Sequence, residues 1–102
     1  MNTIYKYELK QTDRQTLKLP VGAVPLHVGV QHERIYVWAH VDTEELGTSD
    51  WQVRIAGTGH GLVTTKHASF YKGTVMLHDG DLVFHVFMRD VETFGKGSED
   101  YD

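Results

Sequence analysis

The feature that most constrains this chain is an alternation of apolar and polar residues in short segments separated by turn residues. Such alternation is typical of β-strands, because successive side chains of a strand point to opposite faces of a sheet. No segment shows the sustained period of 3.6 residues expected for an amphipathic helix. The pattern predicts strands at 3–9, 15–19, 26–31, 34–42, 51–57, 69–77 and 82–88.

The segments between these strands contain typical turn residues. Segment 19–25 contains both prolines and a glycine, and Asp79-Gly80 is a strong hairpin signal. We interpret 43–50 as a polar loop with room for one helical turn. The chain is therefore predicted to be all-β and mainly antiparallel, a small sandwich or barrel of about seven strands with minimal helix. One β domain is expected over 1–94, followed by a flexible acidic tail over 95–102.

Composition excludes some classes of function. With 102 residues and a formal net charge of −4, the chain lacks the basic surplus typical of proteins that bind long nucleic acids. It has no cysteine, so disulfides and thiolate metal sites are excluded. No apolar run has the length of a membrane span, and the N-terminal segment lacks a signal-peptide core. We therefore expect a soluble protein that stays in the cytoplasm in which it is made.

One predicted strand, 34–42, carries an aromatic surplus on its second face. Tyr36, Trp38 and His40 share that face, where a half-buried strand usually shows polar residues. Two interpretations remain open: burial in a core or subunit interface, or a platform on which a flat ligand stacks. If this strand pairs with strand 51–57, Arg54 would lie near Trp38.

The segment Ala56-Gly57-Thr58-Gly59-His60-Gly61-Leu62 has glycines at alternate positions. It lacks the following helix of a dinucleotide-binding fingerprint and the Gly-Lys-Ser/Thr of a Walker loop. Two interpretations remain open here too. The backbone N–H groups can form an anion-binding nest, with Arg54 or Lys66 as the cation. Alternatively, the segment is a turn or bulge that needs positive φ.

Catalytic and metal-binding patterns are weak. Seven histidines are present, but none forms a spacing typical of metal ligands. Thr58 or Ser69 could be paired with His60 as a nucleophile and base, but only spacing suggests this. We therefore predict a binding protein without enzyme activity, metal or cofactor.

Several stretches together resemble a family of small proteins encoded mostly by bacteriophages. They are IYKYEL, LPVGAVPLHVGVQ, VWAHVD, RIAGTGH and YKGTVMLHDGDLVFHVF, which together span most of residues 4–87. This family is similar to phage anti-CBASS sponge proteins. The resemblance implies binding of a cyclic nucleotide immune signal, such as cyclic GMP–AMP, without chemistry on the ligand. It also implies a homo-oligomer, with a tetramer suspected, acting in the cytoplasm of the bacterial host.

The predicted function is therefore immune evasion by sequestering a cyclic nucleotide. The alternative is an inhibitor or accessory factor that binds another protein through the exposed aromatic surface. Residue chemistry, and not the family, selects the predicted ligand-binding residues: Trp38, Arg54, Gly57, Thr58, Gly59, His60 and Lys66. Replacing Arg54 or His60 by alanine is expected to weaken ligand binding with the fold intact.

Overall fold

The computed structural model describes residues 1–62 and 70–91, and these residues form seven antiparallel strands. The strands are β1 (Asn2–Leu9), β2 (Arg14–Pro20), β3 (Val24–Gln31), β4 (Arg34–Asp42), β5 (Thr48–Gly57), β6 (Tyr71–Leu77) and β7 (Leu82–Asp90). A short 3₁₀ segment, His78–Gly80, joins the last two. The all-β prediction is confirmed, and β4 has the predicted bounds. Segment 43–50 was predicted wrongly in part, because β5 already begins at Thr48 and continues a ladder with β2.

Local backbone geometry explains the tight connections. Gly22 has φ +83°, and the Ala23 N–H donates to the Pro20 carbonyl across 3.0 Å, which closes the turn between β2 and β3. His32 and Glu33 both have positive φ, as a two-residue hairpin between right-twisted strands requires. The Glu33 carboxylate accepts the His78 N–H at 2.8 Å, so it ties this hairpin to the one that follows β6.

The strands form two sheets. One has the order β1-β4-β3 and the other the order β2-β5-β7-β6. Their inner faces share one hydrophobic cluster, to which every strand contributes. In the described part of the chain the fold is thus a sandwich, one of the two predicted architectures. Within residues 1–62 and 70–91, no helix has the length and apolar character needed to cross a bilayer.

Alternation along the central strands decides which side chains face the core. Val37 and Ala39 of β4 are fully buried, as are Val53 and Ile55 of β5. The residues between them therefore point outward, each from its own sheet. The condition under which Arg54 would lie near Trp38 is therefore not met: β4 and β5 do not pair, because they belong to different sheets.

Candidate functional site

The outer side of the three-stranded sheet carries a row of rings, here called the aromatic face and defined as His27, Tyr36 and Trp38. The Trp38 ring lies in the middle, 5.7 Å from the His27 ring and 6.0 Å from the Tyr36 ring between centroids. The interplanar angles of 42° and 57° give tilted pairs, which aromatic quadrupoles favour over a face-to-face sandwich. Trp38 and Tyr36 are half-buried and His27 is exposed, so the row borders solvent.

Gly29 gives these rings room to lie down on the sheet. A Cβ at Gly29 would stand 3.0 Å from His27 Nε2 and 3.3 Å from Trp38 Cζ3. Both contacts are closer than ordinary van der Waals distance, so the two rings lean over the glycine backbone. The small residue therefore shapes the aromatic face, although its φ is not in the left-handed region.

Lys6 places a cation on the same face. It lies directly across from Trp38 in the β1–β4 ladder. Its ammonium is 4.4 Å from the centroid of the Tyr36 ring, and it donates to Gln31 Oε1 at 2.8 Å. Among the described residues it has no carboxylate partner. The rings and the positive charge of Lys6 are thus adjacent.

The glycine-rich segment lies at one end of the other sheet and forms a turn. The His60 N–H donates to the Gly57 carbonyl at 3.0 Å, and Gly59 between them has φ +87°. This is the geometry of a type II turn. The His60 ring folds back over Gly57, whose N–H donates to His60 Nδ1 at 3.2 Å. A Cβ at Gly57 would lie 2.9 Å from His60 Cε1, so this contact requires glycine.

Arg54 is buried and supports this turn through main-chain contacts. Its guanidinium donates to three carbonyls: Ile55 at 3.1 Å, Gly61 at 3.3 Å and Asp13 at 3.5 Å. The Asp13 carboxylate lies at 3.5 Å from the same group. Arg54 therefore links the connection between β1 and β2 to the glycine segment.

A chain of hydroxyl and imidazole groups starts at the glycine segment. Thr58 Oγ1 lies 2.7 Å from His85 Nε2, and His85 Nδ1 lies 2.9 Å from Thr74 Oγ1. The Tyr71 hydroxyl follows, 2.5 Å from Thr74 Oγ1. We call these four residues the hydroxyl–imidazole chain. It joins the segment after β5 to β7 and β6.

Two hollows flank the glycine segment, and their walls differ in charge. The hollow of about 410 Å³ is lined in part by Asp81 and Leu82. The hollow of about 200 Å³ contacts the hydroxyl–imidazole chain at Thr58 and His85, has Leu62 and Phe87 as apolar walls, and includes no carboxylate in its lining. Of these two hollows, the smaller one can therefore hold an anion without a carboxylate in its lining.

The structure explains the shifted pKa values of two groups, Asp42 and Tyr7. The Glu44 N–H donates to the Asp42 carboxylate at 3.0 Å, and this bond, with the nearby N-terminal ammonium, lowers the Asp42 pKa. Burial raises the pKa of Tyr7, helped by neighbouring Tyr5. Neither Asp42 nor Tyr7 belongs to the aromatic face or to the glycine segment.

The structure separates the predicted ligand-binding residues into two groups. Gly57, Thr58, Gly59 and His60 lie together, and Arg54 reaches them through the Gly61 carbonyl. Trp38 points outward from the other sheet, so in one chain it lies on the opposite side of the sandwich. Lys66 lies outside the described residues.

Sequence reasoning missed Lys6, His27 and the hydroxyl–imidazole chain beyond Thr58. Counting residues outward from a hairpin turn predicts some of these neighbours across the strands. With His32 and Glu33 as the turn, His27 falls opposite Trp38; counting back from the last hairpin places Thr74 opposite His85. The contact from Thr58 to His85 had no such signal, because it depends on how β5 pairs with β7.

Comparison with known proteins gives a family but no activity. The model of the family described as Domain of unknown function (DUF7352) matches residues 1–94. The chain therefore belongs to that family. No curated protein and no solved structure matches it.

Proposed function

We propose that this member of the DUF7352 family is a non-catalytic binding protein that sequesters a cyclic dinucleotide through its aromatic face. The observation that carries the proposal is the row of His27, Trp38 and Tyr36 with the Lys6 ammonium beside it. Stacking of one base on an aromatic side chain contributes roughly 1–3 kcal/mol. A cation without a carboxylate partner among the described residues supplies attraction for the phosphodiester groups.

Sheet geometry also favours such a ligand. The His27 and Trp38 rings lean over Gly29, so their flat faces are turned along the sheet surface. A flat base is bound most strongly when it stacks on such a ring face. The net charge of −4 does not oppose this, because one small anion needs only local donors. Following the resemblance, the ligand would be a bacterial immune signal such as cyclic GMP–AMP, withheld from host effectors in the bacterial cytoplasm.

Assembly follows from the separation of the two surfaces. A ligand held by both Trp38 and the glycine segment would have to lie between two copies of the chain, because one copy presents them on opposite sides. A symmetric homo-oligomer, with a tetramer as the expected form, would provide that arrangement. Light scattering after size exclusion, with and without ligand, measures the subunit number directly.

Thermal unfolding against a panel of cyclic di- and trinucleotides tests the proposal first. A ligand at about a hundred times its Kd stabilises the fold by about 2.7 kcal/mol, which for a domain of this size raises the midpoint by roughly 10–20 °C. The ligand should be recovered intact after denaturation. A flat response to the whole panel, or recovery of a hydrolysed product, overturns the proposal.

Calorimetric titration of variants then locates the site. Trp38→Leu should weaken binding roughly 5- to 150-fold, which corresponds to the loss of one stacked base. Gly29→Ala should also weaken it, because the new Cβ pushes the His27 and Trp38 rings away. Tyr5→Leu is the matched control, since Tyr5 is an exposed ring on the other side of β1 from Lys6. Equal ligand affinity in all three variants would show that the ligand does not bind at the aromatic face.

A second candidate, a protein-binding inhibitor, is favoured by one observation. Ile4 and Val24 flank His40 on the same outer side of the sheet, and these two residues are 55% and 50% exposed. They extend the aromatic face into an apolar strip suited to a protein partner. This function is expected if no cyclic nucleotide stabilises the chain and Trp38→Leu abolishes the binding of a purified host protein.

A further inference from the structure

We infer that the smaller hollow beside the glycine segment is a binding site for a phosphate group, with the Thr58 hydroxyl as a donor oriented by the hydroxyl–imidazole chain. This site lies on the other sheet from the aromatic face. It does not depend on what the aromatic face binds.

The direction of the hydrogen bonds in the chain carries the argument. The inference requires the Tyr71 hydroxyl to donate to Thr74 and Thr74 to donate to His85 Nδ1. This direction is favoured because a phenol is a better donor than an aliphatic alcohol. A neutral imidazole has one donor and one acceptor, which leaves Nε2–H to donate to Thr58 Oγ1. The Thr58 proton is then free to donate into the hollow. Each bond in such a series polarises the next.

Other donors surround the same hollow. His60 Nδ1 accepts from the Gly57 N–H, so the proton of the neutral ring is on Nε2. Gly59, at the third position of the turn, also lines the hollow, so the main chain borders it there without a side chain in between. Main-chain N–H groups in turns can bind anions without any helix. The hollow thus offers several donors and no carboxylate in its lining.

Size and walls decide the ligand class. The hollow measures about 200 Å³, below the roughly 300–1,000 Å³ typical of sites that enclose a whole small molecule. It therefore suits one phosphate group, with the rest of a phosphate ester lying outside. Thr58 and His60 line both hollows, but Asp81 lines only the larger one, so an anion meets no lining carboxylate in the smaller one.

Titration with inorganic phosphate, followed by amide chemical shifts at constant ionic strength, tests this inference. We expect saturable shifts at Gly59 and Gly61, and binding at least fivefold weaker in Thr58→Val. Thr58→Ser keeps the hydroxyl and should bind like the native protein. Thr16→Val, at an exposed position on β2, is the control for an unrelated threonine. Absent or unsaturable shifts, or equal affinity in Thr58→Val and Thr16→Val, overturn the inference.

The tautomer of His85 provides a second readout that does not require ligand. Ring ¹⁵N shifts should show the Nε2–H form in the native protein and a larger share of the Nδ1–H form in Tyr71→Phe, which lacks the phenolic donor. A predominant Nδ1–H form in the native protein would reverse the chain and overturn the inference. Phosphate binding at this hollow without any cyclic nucleotide affinity would retain the inference and reject the proposed function.

Discussion

Replacing Arg54 by alanine tests whether this side chain supports the fold or is available to a ligand. Only 10% of the Arg54 side chain is exposed, and its guanidinium donates to three main-chain carbonyls at 3.1–3.5 Å. A hydrogen bond from a charged group contributes about 1.5–3 kcal/mol, but two of these bonds are long. We therefore expect the free energy of unfolding to fall by about 2–4 kcal/mol in total. The corresponding fall in the thermal midpoint is about 10–20 °C.

Arg34→Ala is the matched control. Arg34 also faces a carboxylate, Glu8, at 3.5 Å, but its side chain is 63% exposed. Exposed pairs of this kind contribute roughly 0–1 kcal/mol, so the control should unfold nearly like the native protein. Urea unfolding measures both variants. Amide exchange should also show faster opening of the glycine segment in Arg54→Ala alone, because the bond to the Gly61 carbonyl is lost.

The result that would refute this reasoning is equal stability of the two variants. Arg54 would then be available to bind a ligand with the fold intact, as residue chemistry alone predicted. A large loss of stability would instead make any loss of ligand affinity in Arg54→Ala indirect. His60→Ala still tests the glycine segment, but Gly57 would lose the acceptor for its N–H.

Two further predictions concern the core and the N-terminus. Trp51→Ala should lower the free energy of unfolding by about 3–5 kcal/mol, because the ring is buried in the shared core. Trp51→Phe should cost clearly less in urea unfolding, since the buried Nε1–H has no partner among the described residues; equal losses would contradict this. The lowered pKa of Asp42 means that its ionised form is favoured in the folded chain. Its contribution to stability is therefore present above the unfolded pKa of 3.8 and is lost as pH falls through the lower folded value. The stability difference between the native protein and Asp42→Asn should shrink between about pH 6 and pH 2; a constant difference would show that the carboxylate has no such role.

The sequence by itself determined the position of most strand residues and the two faces of each strand. Alternation over Arg34–Asp42 shows which side chains of β4 are buried, because a strand has only two faces and one must cover the core. Turn residues placed the last hairpin, where Asp79 and Gly80 adopt positive φ. Alternation also showed that Trp38 shares the second face with Tyr36. These features depend on neighbours within a few residues along the chain.

Only the tertiary structure decided which strands share a sheet. That choice depends on how two apolar surfaces cover each other, and alternation contains no information about it. It placed Trp38 and Arg54 on opposite sides of the sandwich, and it set Thr58 beside His85, 27 residues away. It also buried Arg54, whose guanidinium donates to the Gly61 carbonyl of the glycine segment. The Arg54 guanidinium could bind a phosphate, but here it donates to main-chain carbonyls. These contacts are needed because a buried charge without partners would be strongly destabilising.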